Sequence, residues 1–156
     1  MNIPPLQPPS PDPDPLFTSD EKLYHAVRKR HVQAGTTILP DAIRLPSISC
    51  NREKYCSCPE SVLAIFRDKP EEEYIYVAVL VAGNLPPPAS VNEEVFWEFL
   101  IAHIPLLDNY SHSEVRVGRR GGQYDGKVTG SAVLKLKLRT LLAGKMCILS
   151  DSAPAS

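Results

Sequence analysis

Residues 73–81, Glu73-Tyr74-Ile75-Tyr76-Val77-Ala78-Val79-Leu80-Val81, are β-branched, aromatic and almost uninterrupted by charge. That pattern predicts a central strand covered on both faces. Residues 109–117 alternate instead. As a strand they would set Tyr110, His112, Glu114 and Arg116 on one face and Ser111, Ser113, Val115 and Val117 on the other. Residues 133–139, Val-Leu-Lys-Leu-Lys-Leu-Arg, also alternate strictly and read as a strand with one wet face. In residues 91–103 the apolar positions Val95, Phe96, Phe99, Leu100 and His103 recur at three- and four-residue steps. With Ser90 and Glu93 at capping-box spacing and Pro105 beyond, this predicts a helix. A second helix start is Ser57-Cys58-Pro59-Glu60, followed by an apolar face over 61–66.

Elsewhere the pattern is less decisive. Residues 18–33 suit a helix through Leu23, Ala26, Val27 and Arg30, or a short strand 23–27 followed by basic Arg28-Lys29-Arg30; Gly35 ends either. Pro40 and Pro46 make residues 38–49 mostly irregular, with a helical turn at 41–43. Gly121-Gly122 and Asp125-Gly126 mark turns, and 146–149 is a last short apolar piece. No internal repeat is present. Several strands with two interposed helices predict an α+β fold, a single small domain with a mixed or antiparallel sheet and the helices on one face. Seven prolines, at positions 4, 5, 8, 9, 11, 13 and 15, make residues 1–16 a disordered, proline-rich flexible arm. The domain then spans 17–149, and 150–156 is a flexible tail.

The chain has 156 residues and a net charge of −1, enough for a core without disulfides and not basic overall. Its charge is uneven. Arg119, Arg120, Lys127, Lys135, Lys137, Arg139 and Lys145 stand against the single acid Asp125. That balance suits either a phosphate-bearing partner or a solvated face. The sequence lacks a run long enough for a membrane span and lacks a signal-peptide pattern, so the expectation is a cytoplasmic protein with no membrane partner. Cys50, Cys56, Cys58 and Cys147 lack C-x-x-C spacing and read as ordinary thiols.

Three groupings carry chemistry. In the row on 109–117, His112 can exchange a proton, Glu114 can orient it, and Arg116 can hold an anion, with Tyr110 beside them. His112 and Glu114 are therefore the candidate catalytic pair, and Tyr110 and Arg116 candidate ligand contacts. Asn51 and Arg52, in a loop before the Ser57 helix, can grip a carboxylate or phosphate and complete the ligand set. His103, His112 and Glu114 have the residue types of a two-histidine, one-carboxylate centre. The expectation is instead that His103 packs on the core, so no metal is assigned and no cofactor is named.

The residues Ser49-Cys50-Asn51-Arg52 and Asn109-Tyr110-Ser111-His112-Ser113-Glu114-Val115 resemble small uncharacterised bacterial proteins with an S-x-[ND]-R loop and an N-Y-[AS]-H-[AS]-E-[VI] strand. The resemblance covers about residues 20–118 and implies no function. Leu23-Tyr24-His25, with Gly35 and Ile38-Leu39 following, is similar to the opening of histidine-type ADP-ribosyltransferases and RNA 2′-phosphotransferases. That resemblance implies a phosphate- or nicotinamide-facing role for His25, with Glu114 as a late acid. Ala26 stands where that family has glycine. Two functions follow as expectations. One is a domain handling a phosphate-bearing ligand, a nucleotide or nucleic acid, at a His/Glu/Arg site, whether by cleavage, transfer or binding. The other is a non-catalytic protein-interaction module docking through the proline-rich arm and a sheet edge at 133–139.

Overall fold

In the computed structural model of the chain, residues 12–56 and 58–149 are described. The core of the fold is a six-stranded sheet built from β1 (Lys22–Arg28), β4 (Ser47–Arg52), β5 (Tyr74–Val81), β6 (Trp97–His103), β7 (His112–Arg119) and β8 (Cys147–Ile148). Its order is β6-β7-β4-β1-β5-β8, and every neighbouring pair is antiparallel. A small hairpin joins β2 (Val32–Gln33) to β3 (Thr37–Ile38). This is the expected α+β class. Two helices complete it: α1 (Ser61–Ala64) and α2 (Ala132–Lys145). Among the described residues no helix is long and apolar enough to cross a membrane.

The two helices lie on opposite faces of the sheet, not on one. Register puts Leu23, Ile48, Cys50, Leu80, Phe99, Val115 and Val117 on the face that α2 covers with Leu134, Leu138 and Leu142. On the other face Val62 of α1 packs with Tyr24, Ala26 and Val77. The covering there stops at β1. Ser49 of β4, Leu100 of β6, and the half-buried His112, Glu114 and Arg116 of β7 share the rest of that face. Over β4, β7 and β6 neither helix packs on it, and Tyr124 lies against Arg116.

Two elements differ from the sequence expectation, each because one spacing fits two periods. Residues 133–139 are helical. Leu134, Leu138 and Leu142 recur at four-residue steps and are buried, while Leu136 is 55 % exposed and Val133 69 %. Ser131 caps the helix by accepting from the Leu134 amide. The sheet edge expected there as a docking surface is therefore absent. Residues 97–103 are a strand. Trp97, Phe99 and His103 are buried on one face with half-buried Ile101 in the same row, whereas the helical stripe joins Phe99 and His103 to Phe96 and Leu100. The capping hydrogen bonds at Ser90 do form, from the Asn92 and Glu93 amides. Glu93 then adopts a φ of 61°, and the turn does not propagate into a helix. The helix after Ser57 is a single turn, and Ser57 itself lies outside the described residues.

The expected flexible arm over 1–16 is described only in its last residues. Residues 1–11 lie outside the described residues, but 12–17 are packed on the domain through Arg52. That guanidinium is fully buried. Its Nε and Nη2 donate to the two carboxylate oxygens of Glu21 at 2.8 and 2.9 Å. Nη1 donates to the Asp14 carbonyl and Nη2 to the Leu16 carbonyl, both at 2.7 Å. The Phe17 ring lies 3.9 Å from its carbon. Around it the Asp14 carboxylate accepts from Tyr55 and Lys54, and the Asp14 amide donates to Nδ1 of His103.

Helix and strand make different demands on residues 133–139. Leu138→Ala is expected to cost about 2–5 kcal/mol and Leu136→Ala no more than about 0.5 kcal/mol in urea unfolding; equal costs would mean that the two share a buried face. Arg52→Met strands the buried Glu21 carboxylate and releases 12–17, and should cost about 3–5 kcal/mol. A loss under about 1 kcal/mol would show that the arginine holds nothing together.

Candidate functional site: a cleft where the sheet splits

Strands β1 and β4 pair over two residues only, Leu23 with Arg52 and Tyr24 with Asn51. Beyond these they part. β1 stays paired along its length with β5, and β4 with β7. The half-buried His25 bridges the gap: its Nδ1–H donates to the Ser49 carbonyl at 2.6 Å, the place a ladder bond would take. The separation opens a cleft of about 880 Å³, within the range of small-ligand sites. One wall is apolar and comes from α1 and its flank, Val62, Ile65 and Phe66.

The two ends of the cleft differ in chemistry. At the end where β1 and β4 still pair, Asn51, Asn109, Ser111 and His112 line it. Asn109 Nδ2 donates to Asn51 Oδ1 at 2.7 Å, and the Ser111 hydroxyl lies 2.9 Å from the same oxygen and 2.6 Å from Asn109 Oδ1. With its oxygen so occupied, Asn51 is oriented by its neighbours. His112 donates from Nδ1 to the Ile104 carbonyl at 2.8 Å. In a neutral ring this leaves the lone pair on Nε2. The same holds for His25.

The far end is cationic. Arg28, Arg30, His31 and Arg44 line it together with Asp41. Arg28 lies 3.5 Å from Glu72 and over the Tyr74 ring, which is itself stacked on Phe66. Its Nε is buried without a hydrogen-bond partner among the described residues. The exposed side chains of Arg30 and Arg44 make no hydrogen bond or ion pair among the described residues. Burial, then the charges of Arg30 and Arg28, push His31 below its ordinary value, and Asp41 acts against them. Burial pushes His25 down as well.

Of the residues singled out from sequence, the cleft collects Asn51 and His112, together with His25. The two motifs 49–52 and 109–115 are neighbours on β4 and β7, with Asn51 opposite His112 and Ser49 opposite Glu114. The other candidates lie elsewhere. Arg52 is on the opposite face of β4, and its donors are taken by Glu21, Asp14 and Leu16. Tyr110 precedes β7 instead of joining its row. Its ring meets Tyr55 and His103 edge-on, and its hydroxyl donates to the Asp12 carbonyl. Glu114 and Arg116 do share a face with His112, but they pair with each other at 2.9 Å, with Arg116 over Tyr124. His103 stands on the face opposite His112, accepting from Asp14 and donating from Nε2 to the Tyr110 carbonyl. It cannot join His112 and Glu114 around one ion, and no metal-ligand cluster occurs among the described residues.

Missed from sequence were Arg28, Arg30, His31 and Arg44. The visible signal was the run Arg28-Lys29-Arg30-His31 at the end of the first short strand, which read as a boundary feature. Comparison with protein families, curated proteins and solved structures finds no match.

The neutral His25 makes stability pH-dependent. Its folded pKa is depressed, so the unfolded chain binds the proton more readily. The stability it contributes is complete above about pH 6.5 and is lost as pH falls below that value. His31 acts in the same direction. Urea midpoints should hold steady from pH 8 to 7 and decline below about 6.5, and His25→Asn should flatten much of that decline. A wild-type profile level down to pH 5 would contradict a neutral His25 held below its ordinary value.

Proposed function

We propose that the cleft between β1 and β4 binds a phosphate-bearing ligand. The observation that carries this reading is the convergence of Arg28, Arg30 and Arg44 on one end of a ligand-sized cleft, two of them without an acid partner among the described residues. Guanidinium groups present several donors in a plane and suit phosphate oxygens.

The reading keeps Asn51 and His112 from the set expected from sequence and replaces Arg52 and Arg116 by Arg28, Arg30 and Arg44. His112 and His25 offer Nε2 as a hydrogen-bond or proton acceptor toward the ligand. Glu114, paired with Arg116 and outside the cleft, supports the His112 face of β7.

Because Arg30 and Arg44 are exposed, replacing both should leave the fold intact. With inorganic pyrophosphate as probe, amide shifts should move at Arg28, Arg30 and Arg44, and affinity should fall steeply with added salt. Arg30→Ala/Arg44→Ala is expected to lose about tenfold or more in affinity, the order of two charge-assisted contacts. Affinity unchanged in the double variant, or no shifts at these residues, would overturn the proposal.

A further inference from the structure

The phosphate reading leaves half of the cleft unused. Ser47 and Asn51 mark the two ends along β4, and four residues at about 3.3 Å each separate them by roughly 13 Å. A single phosphate held by the arginines cannot reach Asn51 and His112. Those residues form a different kind of surface, hydrogen-bonding and fixed in orientation by the contacts to Asn109, Ser111 and the Ile104 carbonyl. Asn51 has spent its oxygen on its neighbours, so its amide nitrogen is the donor left to the cleft. His112 has spent its Nδ1–H, so its Nε2 is an acceptor. One donor and one acceptor, both held in place, match the edge of a planar heterocycle better than they match a charged group.

Between the ends runs the apolar wall, where Ile65 is 59 % exposed. A large aliphatic side chain just past a single-turn helix, lining a polar cleft, is suited to lie against a flat, weakly polar body. The sequence of surfaces is therefore cationic, apolar, then hydrogen-bonding. The cationic surface is confined to one end. Alongside the cleft on β7, Glu114 and Arg116 stand opposite Ser49 and Ser47 and neutralise each other, so they add no free charge between the two ends.

From this we infer that the cleft takes a nucleoside monophosphate, with its phosphate at Arg28, Arg30 and Arg44 and its base edge at Asn51 and His112. The inference rests on the phosphate reading above and deepens it.

The test uses the full chain and four kinds of probe: the common nucleoside 5′-monophosphates, the matching nucleosides, ribose 5-phosphate and a short single-stranded RNA. At least one monophosphate should bind about tenfold or more tightly than both ribose 5-phosphate and its own nucleoside. Its amide shifts should appear at both ends, at Asn51 and His112 as well as at Arg28 and Arg44. His112→Ala should erase most of the preference over ribose 5-phosphate, read as the ratio of the two affinities. Equal binding of ribose 5-phosphate and every monophosphate, or shifts at the arginine end alone, would overturn the base assignment and leave the phosphate reading standing. Nucleosides binding as tightly as their monophosphates would overturn the phosphate reading itself. RNA binding far more tightly than any monophosphate would replace the mononucleotide by a nucleic acid strand.

Discussion

The buried guanidinium of Arg52 is the constraint on which the arrangement depends. An arginine without water is tolerable only if its donors all find oxygen and its charge finds an acid. Here Glu21 supplies the charge and accepts two hydrogen bonds, the carbonyls of Asp14 and Leu16 accept two more, and Nη1 lies 3.6 Å from the Asp14 carboxylate. To satisfy it, the chain must bring residues 12–17 back over the junction of β1 and β4. This is also where the two strands remain paired, at Leu23 with Arg52 and Tyr24 with Asn51. Arg52 and Asn51 are adjacent and point to opposite faces, so one clamps the junction while the other faces the cleft. The strands can separate beyond that point because they are fastened at it.

How far sequence reached follows from what each signal depends on. The strand 74–81 was legible because an apolar β-branched run of that length has few other uses. The row His112, Glu114, Arg116 was legible because alternation fixes faces once a strand exists. Residues 133–139 were not, since Leu134, Leu136 and Leu138 satisfy a two-residue period while Leu134 and Leu138 also satisfy a four-residue one. Beyond that window Thr140 breaks the two-residue row, while Leu142 continues the four-residue one. At Ser90 the local capping bonds were read correctly and the inference from them failed, because a cap does not oblige the chain to continue as helix.

The site was half legible for a similar reason. Asn51 and His112 stand opposite each other on neighbouring strands, and their motifs could be noticed separately. Their neighbours in space, Arg28, Arg30 and Arg44, come from segments whose approach depends on the parting of β1 and β4. No local pattern encodes that. Arg52 shows the converse: adjacency to Asn51 in sequence suggested a shared role, whereas on a strand adjacent residues face opposite ways.

The edge strand β6 carries a consequence for self-association. An edge with free backbone groups is a template on which another chain can build. At the start of β6, Ala89 exchanges both backbone bonds with Trp97. At its end, the Asp14 amide docks on the His103 ring. A pairing strand would therefore meet an obstruction at either end and find purchase only around Phe99 to Ile101, a stretch of about one register repeat. The segment that satisfies Arg52 thus also acts as one of two stoppers against sheet growth from copy to copy, which ties the colloidal behaviour of the protein to the same ion pair that sets its stability.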